Sequence, residues 1–389
     1  MQAFWRNFRM PDYEIIIVGA GPAGCATALQ LANLDPELAR RTLLLDKAVF
    51  PRTKLCAGGL SPDADSALEQ LGVEINAPAI PVHKTRMVLP TGYLTLHQEN
   101  LFRVIRRDQF DYSLFQSARD RGIVVQDGEV VEQVVCKPEM VIVQTPKGEY
   151  RCKTLIAADG ANGPLRGKLG LSKVGRVMVA MELHAPARAL LIPNFDNNMA
   201  VLDLSLLNDG IPGYCWVFPS VNEGTPLVSL GIFAAPLGSS EIAPLKGALE
   251  SWLAKLGIDL KSFELQAHPI LRYDPKAAVS LPRVLFAGDA AGTDPLFGEG
   301  IGSALTLGII AARSAFDALR NNNFSFSDYE DRIRLSAIGS MMRRRRMIAR
   351  RLYSSPRFAR LFLRHGALLR GLALLRPPIS GAKLTWEAR

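Results

Sequence analysis

IIIVGAGPAG, running from Ile15 to Gly24, is the stretch on which the reading of this chain turns. Ile15, Ile16, Ile17 and Val18 form an apolar run of the length of one buried parallel strand, and Gly19, Gly21 and Gly24 follow at once. Gly19 permits a tight turn, Gly21 lets a backbone approach a pyrophosphate, and Gly24 allows a helix to pack closely on the strand. The Ala-, Leu- and Gln-rich segment from Cys25 to Leu34 predicts a helix whose first N–H groups face an anion. A second strand, Thr42 to Leu45, ends at Asp46, about twenty residues on, where a carboxylate accepts ribose hydroxyls. A GxGxxG alone also fits a structural turn. With strand, helix and acid in order, it predicts a dinucleotide site.

A chain of 389 residues holds two or three domains, and its 48% hydrophobic and 21% charged composition is that of a globular protein. Five cysteines, with no CxxC pair, suggest neither a disulfide framework nor a metal site. The leader lacks the apolar stretch of a signal peptide, and no run reaches the roughly eighteen apolar residues of a spanning helix, so the expected address is cytoplasmic. Charge is unevenly spread. Residues 333–389 hold fourteen Lys and Arg against one acid, Glu387, so this tail carries +13 of a total of +9 and the body is mildly acidic at −4.

Residues 47–64, KAVFPRTKLCAGGLSPDA, read as a loop leading back over the dinucleotide, with Cys56 beside Lys54 and backbone amides that would lower its thiol pKa. The plainer alternative is a small buried residue. Residues 85–105 alternate as strands about a turn at 90–92, and residues 106–122 predict a helix. Arg107 stands at that helix's start, unfavourable for a cation unless an anion lies nearby; a solvated Arg is the alternative. Strands follow at 124–125, 129–135, 141–145 and 150–152. Two further stretches join them: TLIAADGANGPLR, Thr154 to Arg166, and RVLFAGDAAGTDPLFGEGIG, Arg283 to Gly302, opening a long helix. Asp289 suits a polyol, and the amides at Gly300 and Ile301 suit an anion.

GxGxxG with Asp46, Arg107-x-x-Phe110-Asp111, Asp159-Gly160 and Gly288-Asp289 resemble the flavoprotein class of para-hydroxybenzoate hydroxylase over nearly all of residues 13–320. Within that class, KLCAGGLSP and GYCWVFP (Gly213 to Pro219) are similar to the geranylgeranyl reductase family. The resemblance implies an α/β fold: a discontinuous, doubly wound Rossmann-like FAD domain (residues 13–80, 102–172 and 278–325), roofed by an antiparallel-sheet substrate domain (81–101 and 173–277). A basic C-terminal helical region (326–389) completes the chain. It further implies Asp46 at the adenosine ribose and Gly19, Gly21, Ala23 and Gly24 at the pyrophosphate. Arg107 and Asp289, with Gly288, would take the phosphate and ribityl region, and Asp159, Lys47 and Val130 would also line the cofactor. Cys56 and Ala57 would lie near the flavin ring and Gly300 and Ile301 at its N1 and C2 edge, where a helix N-terminus favours the anionic reduced form.

On the aromatic strand, Tyr214, Trp216 and Phe218 share one face and Cys215 and Val217 the other. That face either lines a slot for an apolar substrate or is core packing. Cys56, Tyr214 and Trp216 are the catalytic candidates, with Cys56 and Tyr214 as polar partners near the reacting carbon. Flavin halogenases carry Trp-x-Trp-x-Ile-Pro here, and this chain departs from that pattern at Tyr214 and Phe218. The expected reaction is hydride transfer to an isoprenoid or lipid-like alkene; monooxygenase or halogenase chemistry and a non-catalytic membrane flavoprotein are the alternatives. With one dinucleotide fingerprint, the external reductant is either transient NAD(P)H or a ferredoxin-like protein. A basic amphipathic segment after Pro356, with Phe358, Leu361, Phe362, Leu369 and Leu372 on one face, and the run Arg343 to Arg346 predict contact with an anionic membrane at its inner face. Packing against the protein's own core is the other reading. No RNA-binding motif accompanies the charge, so nucleic acid is not an expected partner.

Overall fold

Ile15, Ile16 and Ile17 are fully buried because their strand, Tyr13–Val18, lies inside a parallel sheet. In this computed structural model, which describes residues 12–89, 92–171, 177–192, 195–196, 198–222, 224–235, 245–354 and 383–388, the sheet order is Ser280–Leu281, Val284–Phe286, Gly148–Ala157, Tyr13–Val18, Thr42–Leu45 and Val124–Gln126. All neighbours are parallel except the Ser280–Leu281 edge. Gly148–Ala157 is one continuous strand where the sequence suggested two. Its first half pairs antiparallel with Val141–Thr145 and its second half runs parallel to Tyr13–Val18, so exposed residues give way to a wholly buried end.

The helix Pro22–Leu34 packs on Ile301–Asn321 at short range. A Cβ on Gly308 would stand 2.3 Å from the Ala23 carbonyl oxygen, and Thr27 Oγ1 donates to the Gly308 carbonyl oxygen at 3.1 Å. Ile301–Asn321 is long and apolar enough to cross a bilayer, which the sequence reading did not anticipate, yet 72% of its apolar stretch is buried, so that apolarity serves the core.

A second sheet runs Gln266–Leu271, Val177–Pro186, Thr225–Ala234, Gly213–Asn222, Met199–Asp203, Ala79–Leu89, Gly92–Ile105 and Lys383–Ala388. Its neighbours are antiparallel except Met199–Asp203 with Ala79–Leu89. Period-two alternation gives it two apolar faces. Cys215, Val217, Leu230 and Ile232 lie against Leu249, Trp252 and Leu253 of the helix Leu245–Lys255. Tyr214, Trp216 and Phe233 lie against Leu296 and against Ala349, Leu352 and Tyr353 of the helix Ala337–Ser354.

The C-terminal region departs from a wholly helical reading. Tyr329–Leu335 and Ala337–Ser354 are helices, but Lys383–Ala388 is a strand paired antiparallel with the Gly92 to His97 part of its neighbour. Leu384 and Trp386 stand two apart, a strand period overlooked in a basic tail. The amphipathic segment from Pro356 to Leu372 lies outside the described residues.

Candidate functional site

The glycine turn is fixed by its own backbone. Gly19 has φ +104°, and a Cβ there would stand 2.2 Å from the Ala158 carbonyl oxygen; one on Gly24 would stand 1.8 Å from that of Gly19. Gly21 is different. A Cβ there meets only the Arg52 guanidinium, at 3.6 Å, so the space before the helix is bounded by a movable side chain. Asp46 closes the turn: Oδ2 accepts the Ala20 N–H at 2.7 Å and Oδ1 the Ala48 N–H at 2.8 Å. Val130, 47% exposed, follows Glu129, whose N–H bonds the Asp46 carbonyl. A Cβ on Gly288 would lie 2.5 Å from that of Ala23, which brings the third glycine stretch against the first.

Asp159 joins them from the end of Gly148–Ala157. Its Oδ2 accepts the Leu165 N–H at 2.9 Å, while Oδ1 is buried without a partner. Burial pushes this carboxyl up to about 6, against the pull of the Leu165 amide and the charges of Arg166 and Lys47.

The anion beside Arg107 proves to be a residue of its own helix. Arg107 donates Nε and Nη2 to the two oxygens of the fully buried Asp111 at 2.8 and 2.9 Å, and Arg52 adds a third contact at 3.0 Å. Burial opposes this charge, but Asp111 and then Cys56 hold the guanidinium firmly protonated. Cys56 thus lies within electrostatic reach of Arg107 as well as of Lys54, and its Sγ accepts the Gly58 N–H at 3.4 Å. Lys54 reaches His268 Nε2 at 3.0 Å. Burial and then Lys54 push His268 down to about 4, so a neutral imidazole accepts from the ammonium. The charge of Asp289 reaches both, and its Oδ1 accepts the Thr293 hydroxyl at 3.0 Å. Gly300, the N-cap of Ile301–Asn321, would place a Cβ 3.5 Å from that same Oδ1.

On the aromatic face, the polar atoms of Tyr214 and Trp216 are engaged within the protein. The Tyr214 hydroxyl donates to the Phe297 carbonyl at 2.6 Å; burial, then Asp294 and Glu299, raise its pKa and keep it protonated. Trp216 Nε1 donates to Ser229 Oγ at 2.9 Å, which donates to Glu182 Oε1 at 2.8 Å. Burial pushes Glu182 up to about 7. Gly231 is required here, since a Cβ would stand 2.2 Å from the Trp216 ring. Ala57 packs on the cluster holding Tyr214, Trp216 and Phe233, so the Cys56 loop and the aromatic face meet.

Sequence reading missed several of these residues. Arg107 is read there as a cofactor contact, and what goes unread is its pairing with Asp111, legible in the i,i+4 spacing. His268, Glu182 and Ser229 carry no local signal, because their partners lie far along the chain.

FAD fits this arrangement on three observations: the open approach at Gly21, the unpartnered buried oxygen of Asp159, and a 21-residue helix beginning beside Asp289. Among the described residues, no group of His, Cys, Asp and Glu could hold a metal ion. The family described as FAD binding domain matches residues 12–306. Digeranylgeranylglycerophospholipid reductase of Methanoculleus marisnigri is 26% identical, covering 86% of this chain and 84% of its own. A geranylgeranyl bacteriochlorophyll reductase-like structure from Thermoplasma acidophilum has a TM-score of 0.76 at 22% identity, covering 95% and 98%. The flavin-dependent halogenase CmlS has a TM-score of 0.68 at 21% identity, covering 90% and 68%.

Proposed function

The chain belongs to the FAD binding domain family, as an FAD-dependent oxidoreductase, and from that premise we propose that it reduces carbon–carbon double bonds of an isoprenoid or related prenylated lipid. The observation that carries this reading is the packing of Ala57 into the apolar cluster of Tyr214, Trp216 and Phe233. It brings the Cys56 loop against an apolar, aromatic cluster, which suits a prenyl chain. The name of the Methanoculleus relative supports the same substrate class.

Bound and reduced, FAD supplies the hydride for one alkene carbon. In this reading the turn Gly19 to Gly24 with Asp46 holds the cofactor's diphosphate and ribose, Asp159 and Asp289 its polyol side, and Gly300 with Ile301 offers amides to the ring's negative edge. The aromatic wall excludes water from an alkene that accepts hydride poorly. In the same reading Cys56 gives a proton to the second carbon, and solvent reprotonates the thiolate left near Arg107. Tyr214 and Trp216, engaged elsewhere, shape the slot. NAD(P)H or a ferredoxin-like protein supplies the electrons. Arg344, Met347, Arg350 and Arg351 lie on the outward side of Ala337–Ser354 and suit the anionic inner face of a membrane, which goes with a cytoplasmic address.

Anaerobic photoreduction followed by rapid mixing tests the reading. Reoxidation driven by geranylgeranyl compounds supports it and should slow in Cys56→Ala with FAD retained. A hydroperoxide-like spectrum on mixing with oxygen, without alkene-driven reoxidation, would replace it with oxygenase or halogenase chemistry.

A further inference from the structure

Of the four arginines at 343–346, one is turned inward. Arg345 is 4% exposed, and its Nη1 donates to Asp294 Oδ2 and Glu299 Oε2, each at 2.8 Å. Asp294 is fully buried and also accepts the Leu296 N–H at 2.9 Å and the Phe297 N–H at 3.1 Å. Two turns along the same helix, the Tyr353 hydroxyl donates to the Leu296 carbonyl at 2.6 Å. From the sheet, Tyr214 donates to the Phe297 carbonyl. The segment from Asp294 to Glu299 is therefore gripped from the C-terminal helix on one side and the aromatic strand on the other. It leads directly into Gly300 and the start of Ile301–Asn321.

We propose that Arg345 is a positioning residue for the flavin edge, setting the segment that carries Gly300 and Ile301 and balancing the two carboxylates behind it. A carboxylate pair left without its cation in a buried setting acts at long range, because little water screens it. Loss of Arg345 then does two things. It loosens the helix start that offers amides to the ring, and it leaves negative charge beside the place where reduced FAD becomes anionic. Both disfavour the reduced cofactor. The proposal rests on the placement of FAD at Gly300 and Ile301 and is independent of substrate class.

The test uses the full-length, FAD-loaded protein and its Arg345→Met, Arg344→Met and Tyr353→Phe variants, with flavin midpoint potential and FAD dissociation read anaerobically. Arg345→Met should weaken binding of reduced FAD about tenfold more than that of oxidised FAD, a fall of about 30 mV for a two-electron couple. Adding Glu299→Gln should recover part of it. The exposed neighbour Arg344→Met should leave the potential unchanged. A lower melting temperature in Arg345→Met with potential and affinity unmoved would overturn the proposal, as would an equal shift from Arg344→Met. If Arg345→Met does not fold, Tyr353→Phe decides: a smaller shift in the same direction supports the proposal and none refutes it. Failure of prenyl compounds to reoxidise the unaltered protein would sink the substrate reading and leave this result standing.

Discussion

The glycine turn and the aromatic face solve placement in opposite ways. Around Gly19, Gly24 and Gly288, atoms of one segment stand where another segment's side chain would begin, so the cofactor half is positioned by main chain against main chain and against Ala23. Around Tyr214 and Trp216, positions are held by hydroxyl and indole groups bonded to distant partners, and by a helix from the far end of the chain. Backbone contacts admit one residue type and leave little slack. Side-chain contacts admit repacking, except where Gly231 meets the Trp216 ring and the Met181 carbonyl oxygen.

The sharpest way to break this contrast is Gly24→Ala. Its methyl would enter to 1.8 Å from the Gly19 carbonyl oxygen, which no rotamer relieves, and the expected cost is more than about 3 kcal/mol. Thermal melts should show it, with no FAD retained on purification. Gly231→Ala should cost roughly 1–3 kcal/mol by pressing on the Trp216 ring and the Met181 carbonyl, yet keep its yellow colour. Loss of FAD in that variant would show that the two halves are coupled.

Each half also contains a carboxyl raised by burial, Asp159 to about 6 and Glu182 to about 7. A carboxyl whose folded value lies above its ordinary one binds more protons folded than unfolded. Its stabilising share is complete at low pH and fades as pH rises through the folded value. Above pH 6 the loss belongs mainly to Glu182, whose own share of about 1 kcal/mol fades between pH 6 and 8, and His268, held near 4, offsets part of it because the unfolded imidazole gives up its proton over the same range. Glu182→Gln should flatten denaturant midpoints over that range; a slope unchanged in the variant would place the titrating group elsewhere. The smallest effect on stability is expected from Arg344, Arg350 and Arg351 changed together to Glu, within about 0.5 kcal/mol. Flotation with anionic liposomes should nevertheless be lost, and flotation equal to that of the unaltered protein would exclude this surface from membrane contact. Deleting residues 343–389 is the poorer experiment, because it also removes buried Arg345.

The same contrast explains what could be read from sequence. Gly19, Gly24 and Gly288 announce themselves because a Cβ fits at none of them, Gly21 and Asp46 by their spacing from these, and the strand and helix around them follow from apolar runs. The tetra-arginine run misleads, since four identical residues do not say which one faces Asp294, 51 residues away. Lys54 looks like a partner for Cys56 beside it, whereas its ammonium crosses to His268, 214 residues on. Adjacency in the chain is a poor guide wherever a charge must be buried, because the partner is chosen by the fold.

Lys383–Ala388 lies along the rim of the second sheet and occupies main-chain donors and acceptors of Gly92 to His97. Removing Lys383–Ala388 would move the border of the sheet inward to Gly92–Ile105, a longer ribbon of unmet amides of the kind that recruits copies of itself. Anyone preparing this protein should therefore keep purification handles away from this strand and treat its removal as an invitation to aggregate.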